Sequence, residues 1–120
     1  MNQRIAIAIE EQTAEEIVTE HFGRCSKFYV CELDDQNKLL KTETYFNPLS
    51  GENGSVDQLP AYVKQFNVNA IITGIIEQKA VSKFLSFGID VITAPGIVYE
   101  QALQLYINGN LSESETFDHS

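Results

Sequence analysis

One loop of this chain contains three side chains suited to binding metals or anions. The stretch Thr19–Val30, TEHFGRCSKFYV, places His21, Arg24 and Cys25 within five residues, with Gly23 between them. A neutral imidazole and a thiolate suit iron, zinc or copper rather than magnesium or calcium. Gly23 relieves backbone constraint so that one loop can present both donors, and the Arg24 guanidinium is a fixed fork suited to an anion. We therefore take all four as candidate cofactor-binding residues, with His21 and Cys25 as metal ligands.

This ligand set is incomplete, and a purely structural interpretation stays open. Two protein ligands are too few for a closed structural zinc site, so others would arrive with the metal or from a second copy in a homodimer. Alternatively, His21 and Cys25 only pack where the loop enters a strand, because a free cysteine is commonly a small buried hydrophobe. Cys31 shares a strand face with Tyr29 and Leu33, and we expect it in the core.

Composition and charge narrow the class of protein. The 120 residues include 8 basic and 17 acidic side chains, a net charge of −9. A chain this acidic, without clustered Lys or Arg, repels a phosphate backbone, which argues against nucleic-acid binding. The first residues, MNQRIAIAIEEQ, lack the pattern of a signal peptide, and no apolar run is long enough for a membrane span. With two cysteines and no export signal, we expect reduced thiols and a cytoplasmic location.

The strands and helices that position this loop are indicated by sequence patterns. Arg4–Glu10, RIAIAIE, is apolar on both sides, which predicts a central strand covered on both faces. KFYVCEL and KLLKTETYF around the turn DDQN predict a β-hairpin. Downstream, NAIITG and IDVITA alternate with three amphipathic helical segments, the last two ending at Gly88 and Gly109. The prediction is a three-layer α/β domain with a mixed sheet of about five strands flanked by helices.

Several further expectations concern the connections and ends. Thr13 with Glu16 fits a capping box, so we expect a helical turn there, within an acidic run taken as a solvated face. Gly74 leads from a strand into a helix N-terminus, a place where anions can lie. We assign residues 1–111 to a single domain and 112–120, which include His119, to a polar, flexible tail.

Enzymatic interpretations find little support in these residues. The chain has no G-x-S-x-G, H-E-x-x-H or C-x-x-C motif. A nucleophile–base pair of Cys25 and His21 lacks an identifiable orienting group or oxyanion hole. A two-metal nuclease would need carboxylates along the central strands, which offer only Glu10 and Asp90. The expectation is a protein that is not an enzyme.

The chain resembles the dinitrogenase iron–molybdenum cofactor biosynthesis family from about Arg4 to Leu111. Its most specific element is the EHFGRC block, and the closing YEQALQLYINGNL is also characteristic. The resemblance implies a ribonuclease-H-like domain without hydrolase activity that binds an iron–sulfur or molybdenum-containing cluster, or its precursor. By position, His21 and Gly23 match the histidine and glycine of the family's H-F-G block. Arg24 and Cys25 match a basic residue and a more variable small residue or cysteine.

Two functional hypotheses follow from the resemblance. The first is a non-catalytic carrier for a metal–sulfur cluster in nitrogenase cofactor assembly or a related pathway, with a cluster donor or acceptor protein as partner. Local positive potential for the anionic cargo would come from Arg24 and Lys27. The alternative is a non-metal interaction or regulatory domain that has lost part of the site. It is motivated by the LSGENGS loop (49–55), which lacks the family's frequent histidine, and by a glycine-poor turn at 74–78.

Overall fold

The computed structural model describes residues 2–12, 14–48 and 58–109. Within them the chain forms six strands and three helices. Their bounds are β1 Gln3–Gln12, β2 Glu15–Val18, β3 Lys27–Leu33, β4 Leu39–Phe46, α1 Leu59–Lys64, β5 Ala70–Thr73, α2 Gln78–Ser86, β6 Asp90–Thr93 and α3 Tyr99–Ile107. The predictions for the tail 112–120 with His119, and for the 49–55 loop, fall outside the described residues.

The predicted central strand is confirmed, and its two faces carry different side chains. Ile5, Ile7 and Ile9 are fully buried in one cluster with residues of α3. Ala6 and Ala8 are fully buried in a second cluster, which contains four buried phenylalanine rings and residues of α1 and α2. Small side chains on this second face leave room for the rings, because core volume is filled at near-crystalline density. Burial on both faces fixes β1 between two layers of helices.

The sheet is mixed, as predicted. Its strand order is β4-β3-β1-β5-β6, and β2 pairs separately with the end of β1. The β1–β3 and β3–β4 pairs are antiparallel, whereas β1–β5 and β5–β6 are parallel. The predicted hairpin and the parallel second half are therefore both present, and the three-layer α/β fold class is confirmed.

The region predicted to form a helical turn is instead a strand. Glu15–Val18 forms β2, which pairs antiparallel with β1 from Ile9 opposite Val18 to Gln12 opposite Glu15. β-branched Ile17 and Val18 are buried by this pairing, and a single helical turn would leave most of its own main-chain groups unpaired. The sheet accordingly has six strands rather than about five.

The helix ends follow the predicted signals. Pro60 lies in the first turn of α1, where its missing N–H is tolerated. Gly88 and Gly109 follow α2 and α3 with positive φ angles of 80° and 75°, as expected of glycines that end helices. The third helix starts at Tyr99, because the preceding Val98 has a non-helical backbone with φ −56° and ψ 136°. Among the described residues, no helix is long and apolar enough to cross a membrane.

Candidate functional site

The predicted loop begins with a short 3-10 turn whose anchor is aromatic. Phe22–Arg24 forms the turn, and it is closed by hydrogen bonds from the Arg24 and Cys25 N–H groups to the His21 and Phe22 carbonyls. The Phe22 ring is buried and lies edge-on to Phe84, with ring centroids 5.5 Å apart. Because Phe22 points into the core, its neighbours His21, Gly23 and Arg24 are exposed.

A close main-chain contact holds His21 in place. The Ile75 N–H donates to the Glu20 carbonyl at 2.7 Å, and the Phe22 N–H donates to the Ile75 carbonyl at 2.8 Å. This contact is possible because Gly74 has no side chain. A Cβ there would lie 2.0 Å from the Thr19 carbonyl oxygen and 2.4 Å from that of Glu20. Gly74 therefore allows the backbone of Thr19 and Glu20, which precede His21, to pack closely against it.

A second loop holds the other side of the same segment. The Val18 N–H donates to the Ile97 carbonyl at 2.7 Å, and the Gly96 N–H donates to the Val18 carbonyl at 3.0 Å. Residues 18–21 thus lie between the loops that follow β5 and β6. These loops leave the carboxyl ends of parallel strands, which is the edge where open α/β sheets bind their ligands.

Buried polar groups complete the support beneath His21. The Thr19 hydroxyl is fully buried, 2.8 Å from the His21 carbonyl oxygen and 3.0 Å from Glu10 Oε1. The Glu20 N–H donates to the same Glu10 oxygen at 3.2 Å. Burial raises the pKa of Glu10, but these hydrogen bonds and the Arg24 charge outweigh it, so the pKa is lowered. Glu10 is therefore an anchor for the loop, whereas the sequence had suggested a solvated face.

Cys25 lies behind the exposed loop and not on it. Its side chain is fully buried in the cluster that contains Phe22, and Asn47 Nδ2 donates to its carbonyl at 2.8 Å and lies 3.5 Å from Sγ. Burial raises the pKa of the Cys25 thiol to about 12, so the neutral thiol dominates at neutral pH. The structure therefore brings His21, Gly23 and Arg24 together on the surface and separates Cys25 from them. Cys31 is also fully buried, as predicted.

Of the two cations expected near the loop, only Arg24 is exposed. Lys27 Nζ donates to Glu16 Oε2 at 2.5 Å and to Glu11 Oε2 at 3.1 Å, and its side chain is largely buried. The expectation that Lys27 supplies local positive potential is therefore wrong, because two carboxylates already neutralise it. The Tyr29 hydroxyl donates to the same Glu16 oxygen at 2.5 Å.

A cavity of about 550 Å³ lies beside this ion-pair network. Its lining residues are Glu11, Ala14, Glu15, Glu16, Val98, Tyr99 and Glu100. Four carboxylates make the cavity unfavourable for an anionic ligand, and none of the predicted site residues line it. Across residues 2–12, 14–48 and 58–109, no three His, Cys, Asp or Glu side chains are arranged to hold a metal ion. The His21 loop can therefore offer one exposed nitrogen donor and one guanidinium to a ligand that brings its remaining coordination with it.

Sequence patterns missed the supports of the loop, namely Glu10, Thr19 and Gly74. Glu10 is hidden among five glutamates whose exposed members look the same in the sequence. The available signal was at Gly74, since an isolated glycine at the end of a strand often marks a close approach of another backbone.

The sequence is similar to a known family and to a known relative over most of its length. A family model described as dinitrogenase iron-molybdenum cofactor matches residues 3–109. An uncharacterized protein of Methanocaldococcus jannaschii is 31% identical over 115 residues, covering 93% of this chain and 92% of that protein.

Two solved structures share the fold over nearly the whole chain. PH0822 aligns with a TM-score of 0.78 at 23% identity, covering 96% of this chain and 99% of that one. The apo form of the orange protein from Desulfovibrio gigas also aligns with a TM-score of 0.78, at 22% identity, covering 94% and 93%.

Proposed function

The chain belongs to the dinitrogenase iron-molybdenum cofactor family, and on this premise we propose that it is a non-catalytic carrier of a metal–sulfur cluster or its precursor. The cargo binds at the loop formed by His21, Gly23 and Arg24. The His21 imidazole ligates a metal of the cargo, and the Arg24 guanidinium balances the negative charge of its sulfides. Gly23, which has no side chain, lets the cargo approach the backbone closely.

The main support is that His21 is exposed while its backbone is fixed. Its main chain pairs with Ile75, and the Thr19 hydroxyl lies against its carbonyl. The imidazole is therefore presented to solvent from a position that is already ordered, so binding orders little additional backbone. Contact with one protein nitrogen is weak and open-sided, which suits a carrier that must release its cargo to an acceptor protein.

The ligand role of Cys25 stays a prediction. Its neutral, buried thiol must lose a proton and reach the surface before it can bind a metal. Cys25→Ala keeps a small apolar side chain in the core and removes only the sulfur. If Cys25 is a ligand, this variant retains less cargo than the wild type.

The experiment is anaerobic reconstitution of the purified chain. The apo-protein is mixed with ferrous iron and sulfide, or with tetrathiomolybdate, and desalted; absorbance and elemental analysis then measure the metal retained. We expect about one cluster or thiometallate per chain, with retention lost in His21→Ala and reduced in Arg24→Gln. His119→Ala is the matched control, because it removes the other histidine of the chain and should retain the cargo. Equal retention by His21→Ala and the wild type would contradict the proposed site.

One observation favours the alternative of a metal-free interaction domain. Ile75 is 56% exposed directly beside His21, so the loop also presents an apolar contact to a protein partner. Protein isolated without oxygen that contains no metal, retains none after reconstitution, and copurifies with another protein through Ile75 would support this alternative.

A further inference from the structure

The outer side of β4 is an open edge of the sheet. β4 ends the strand order, and among the described residues no strand pairs with its outer side. Leu39 and Leu40 at one end of the strand are exposed, and Phe46 at the other end is 70% exposed. A long edge strand with exposed apolar side chains is a template for pairing with another strand.

The main chain of β4 is oriented for such pairing. The Asn47 N–H donates to the Ser26 carbonyl, directly beyond the paired residues Phe46 and Lys27. Because paired residues in an antiparallel ladder alternate in the direction of their N–H and C=O groups, those of Thr42 and Thr44 point away from β3. Consistent with this alternation, the Phe46 carbonyl accepts a hydrogen bond from the Tyr62 hydroxyl and not from β3.

The charges of β4 are complementary to themselves. Lys41 and Glu43 flank Thr42, and their side chains are 55% and 37% exposed even though Lys41 Nζ lies 3.8 Å from Glu43 Oε2 of the same chain. A lone lysine on an edge strand normally opposes pairing. In an antiparallel pair of two β4 strands with Thr42 facing its own copy, however, Lys41 lies opposite the partner's Glu43.

We propose that β4 pairs antiparallel with β4 of a second copy of this chain, with the two-fold axis at Thr42. This register also places the partner's Thr44 opposite Leu40, where a β-bulge in β4 ends the regular pairing. The neighbouring registers are excluded by charge. A shift by two in one direction sets Lys41 against the partner's Lys41, and a shift in the other sets Glu43 against the partner's Glu43.

The test is a charge-reversal experiment read out by sedimentation velocity from about 10 μM to about 1 mM, a range that covers weak association through a single edge. The wild type should form a dimer whose fraction rises with concentration. In Lys41→Glu and in Glu43→Lys, two like-charge pairs replace two opposite-charge pairs, so each variant alone should dimerise at least about tenfold more weakly. An equimolar mixture of the two variants restores both opposite-charge pairs and should dimerise again.

The control variants separate effects on this interface from effects on folding and on the His21 loop. Lys64→Glu makes the same charge change at an exposed position of the otherwise half-buried α1 and should dimerise like the wild type. Glu43→Lys loses the contact of Glu43 with Arg4, and both variants lose the ion pair between Lys41 and Glu43 of the same chain. Circular dichroism must therefore show that each variant is folded, and Lys41→Glu keeps the Arg4 contact. His21→Ala should leave the dimer unchanged, because this interface is independent of the proposed cargo site. A wild-type monomer throughout the range, or a dimer insensitive to Lys41→Glu, would overturn the proposed pairing.

Discussion

Gly74→Ala should be more damaging than its backbone conformation suggests. The glycines with positive φ, such as Gly88, are the usual positions where a side chain is expected to be harmful. Gly74 has no positive φ, yet its added Cβ would lie 2.0 Å from the Thr19 carbonyl oxygen. Restoring even the 3.0 Å limit of real contacts requires the Thr19–Glu20 backbone to retreat by 1.0 Å.

The magnitude follows from what that retreat breaks. The two hydrogen bonds that join Ile75 to Glu20 and Phe22 contribute roughly 0.5–1.5 kcal/mol each, and overpacking adds roughly 1–3 kcal/mol. We therefore expect Gly74→Ala to lower the free energy of unfolding by about 3 kcal/mol and the Tm by about 10 °C. Because His21 moves with this backbone, cargo retention should fall as well.

The assay is urea unfolding followed by circular dichroism, with Gly88→Ala as the matched control. A Cβ at Gly88 has no neighbour within 4 Å, so that variant has only the left-handed conformational penalty of about 1–2 kcal/mol. Gly74→Ala should be the less stable of the two. A loss of less than about 0.5 kcal/mol at Gly74 would mean that the loop is not held as described, since that is the range of neutral surface substitutions.

Three further predictions concern the thiols, the ion-pair network and the amide beneath the loop. Burial raises the pKa of Cys25 to about 12 and also raises that of Cys31, so a thiol reagent at pH 8 should modify the folded protein at least about a hundredfold more slowly than the unfolded one; rapid modification would contradict their burial. Hydrogen bonds from Lys27 and Tyr29 lower the pKa of Glu16 below its ordinary value of 4.5. The stabilisation by Glu16 is therefore present above that value and is lost as the pH falls through the pKa of the folded state. The acid limb of a stability–pH curve should accordingly be shallower in Glu16→Gln, and an unchanged limb would exclude this contribution. Asn47→Ala leaves the buried Cys25 carbonyl without its donor and should cost about 1–3 kcal/mol in urea unfolding, compared with under about 0.5 kcal/mol for exposed Asn2→Ala.

Structural elements whose signals lie among consecutive residues were predicted correctly. The alternation in β1, the hairpin of β3 and β4, and the helix ends at Gly88 and Gly109 are each encoded within a few consecutive residues. The strand β2 was missed because a capping pattern at Thr13 and Glu16 competed with two buried β-branched residues, and pairing with β1 decided the outcome. Local patterns do not reveal whether a short segment that carries both signals forms a helical turn or pairs with a strand elsewhere in the chain.

The residues of the site could be predicted from the sequence, but their exposure to solvent could not. The spacing of His21 and Cys25 placed both in one loop, but the single 3-10 turn between them directs one to solvent and the other into the core. Lys27 likewise looked available for an anion, whereas β2 brings Glu16 against it from a strand that the sequence did not predict. Whether a polar side chain is available to a ligand depends on contacts between strands, and the spacing of residues along the chain does not reveal those contacts.

The unequal faces of β1 have an evolutionary consequence. The isoleucine side contacts mainly aliphatic side chains. Substitutions among aliphatic residues of similar volume cost little stability, so homologues can differ at these positions. On the alanine side, one added methyl group would meet rigid rings that cannot contract, so replacements should arise only as correlated pairs. Mutational tolerance should therefore alternate residue by residue along this single strand, and a saturation library of positions 5–9 would display it as a period of two.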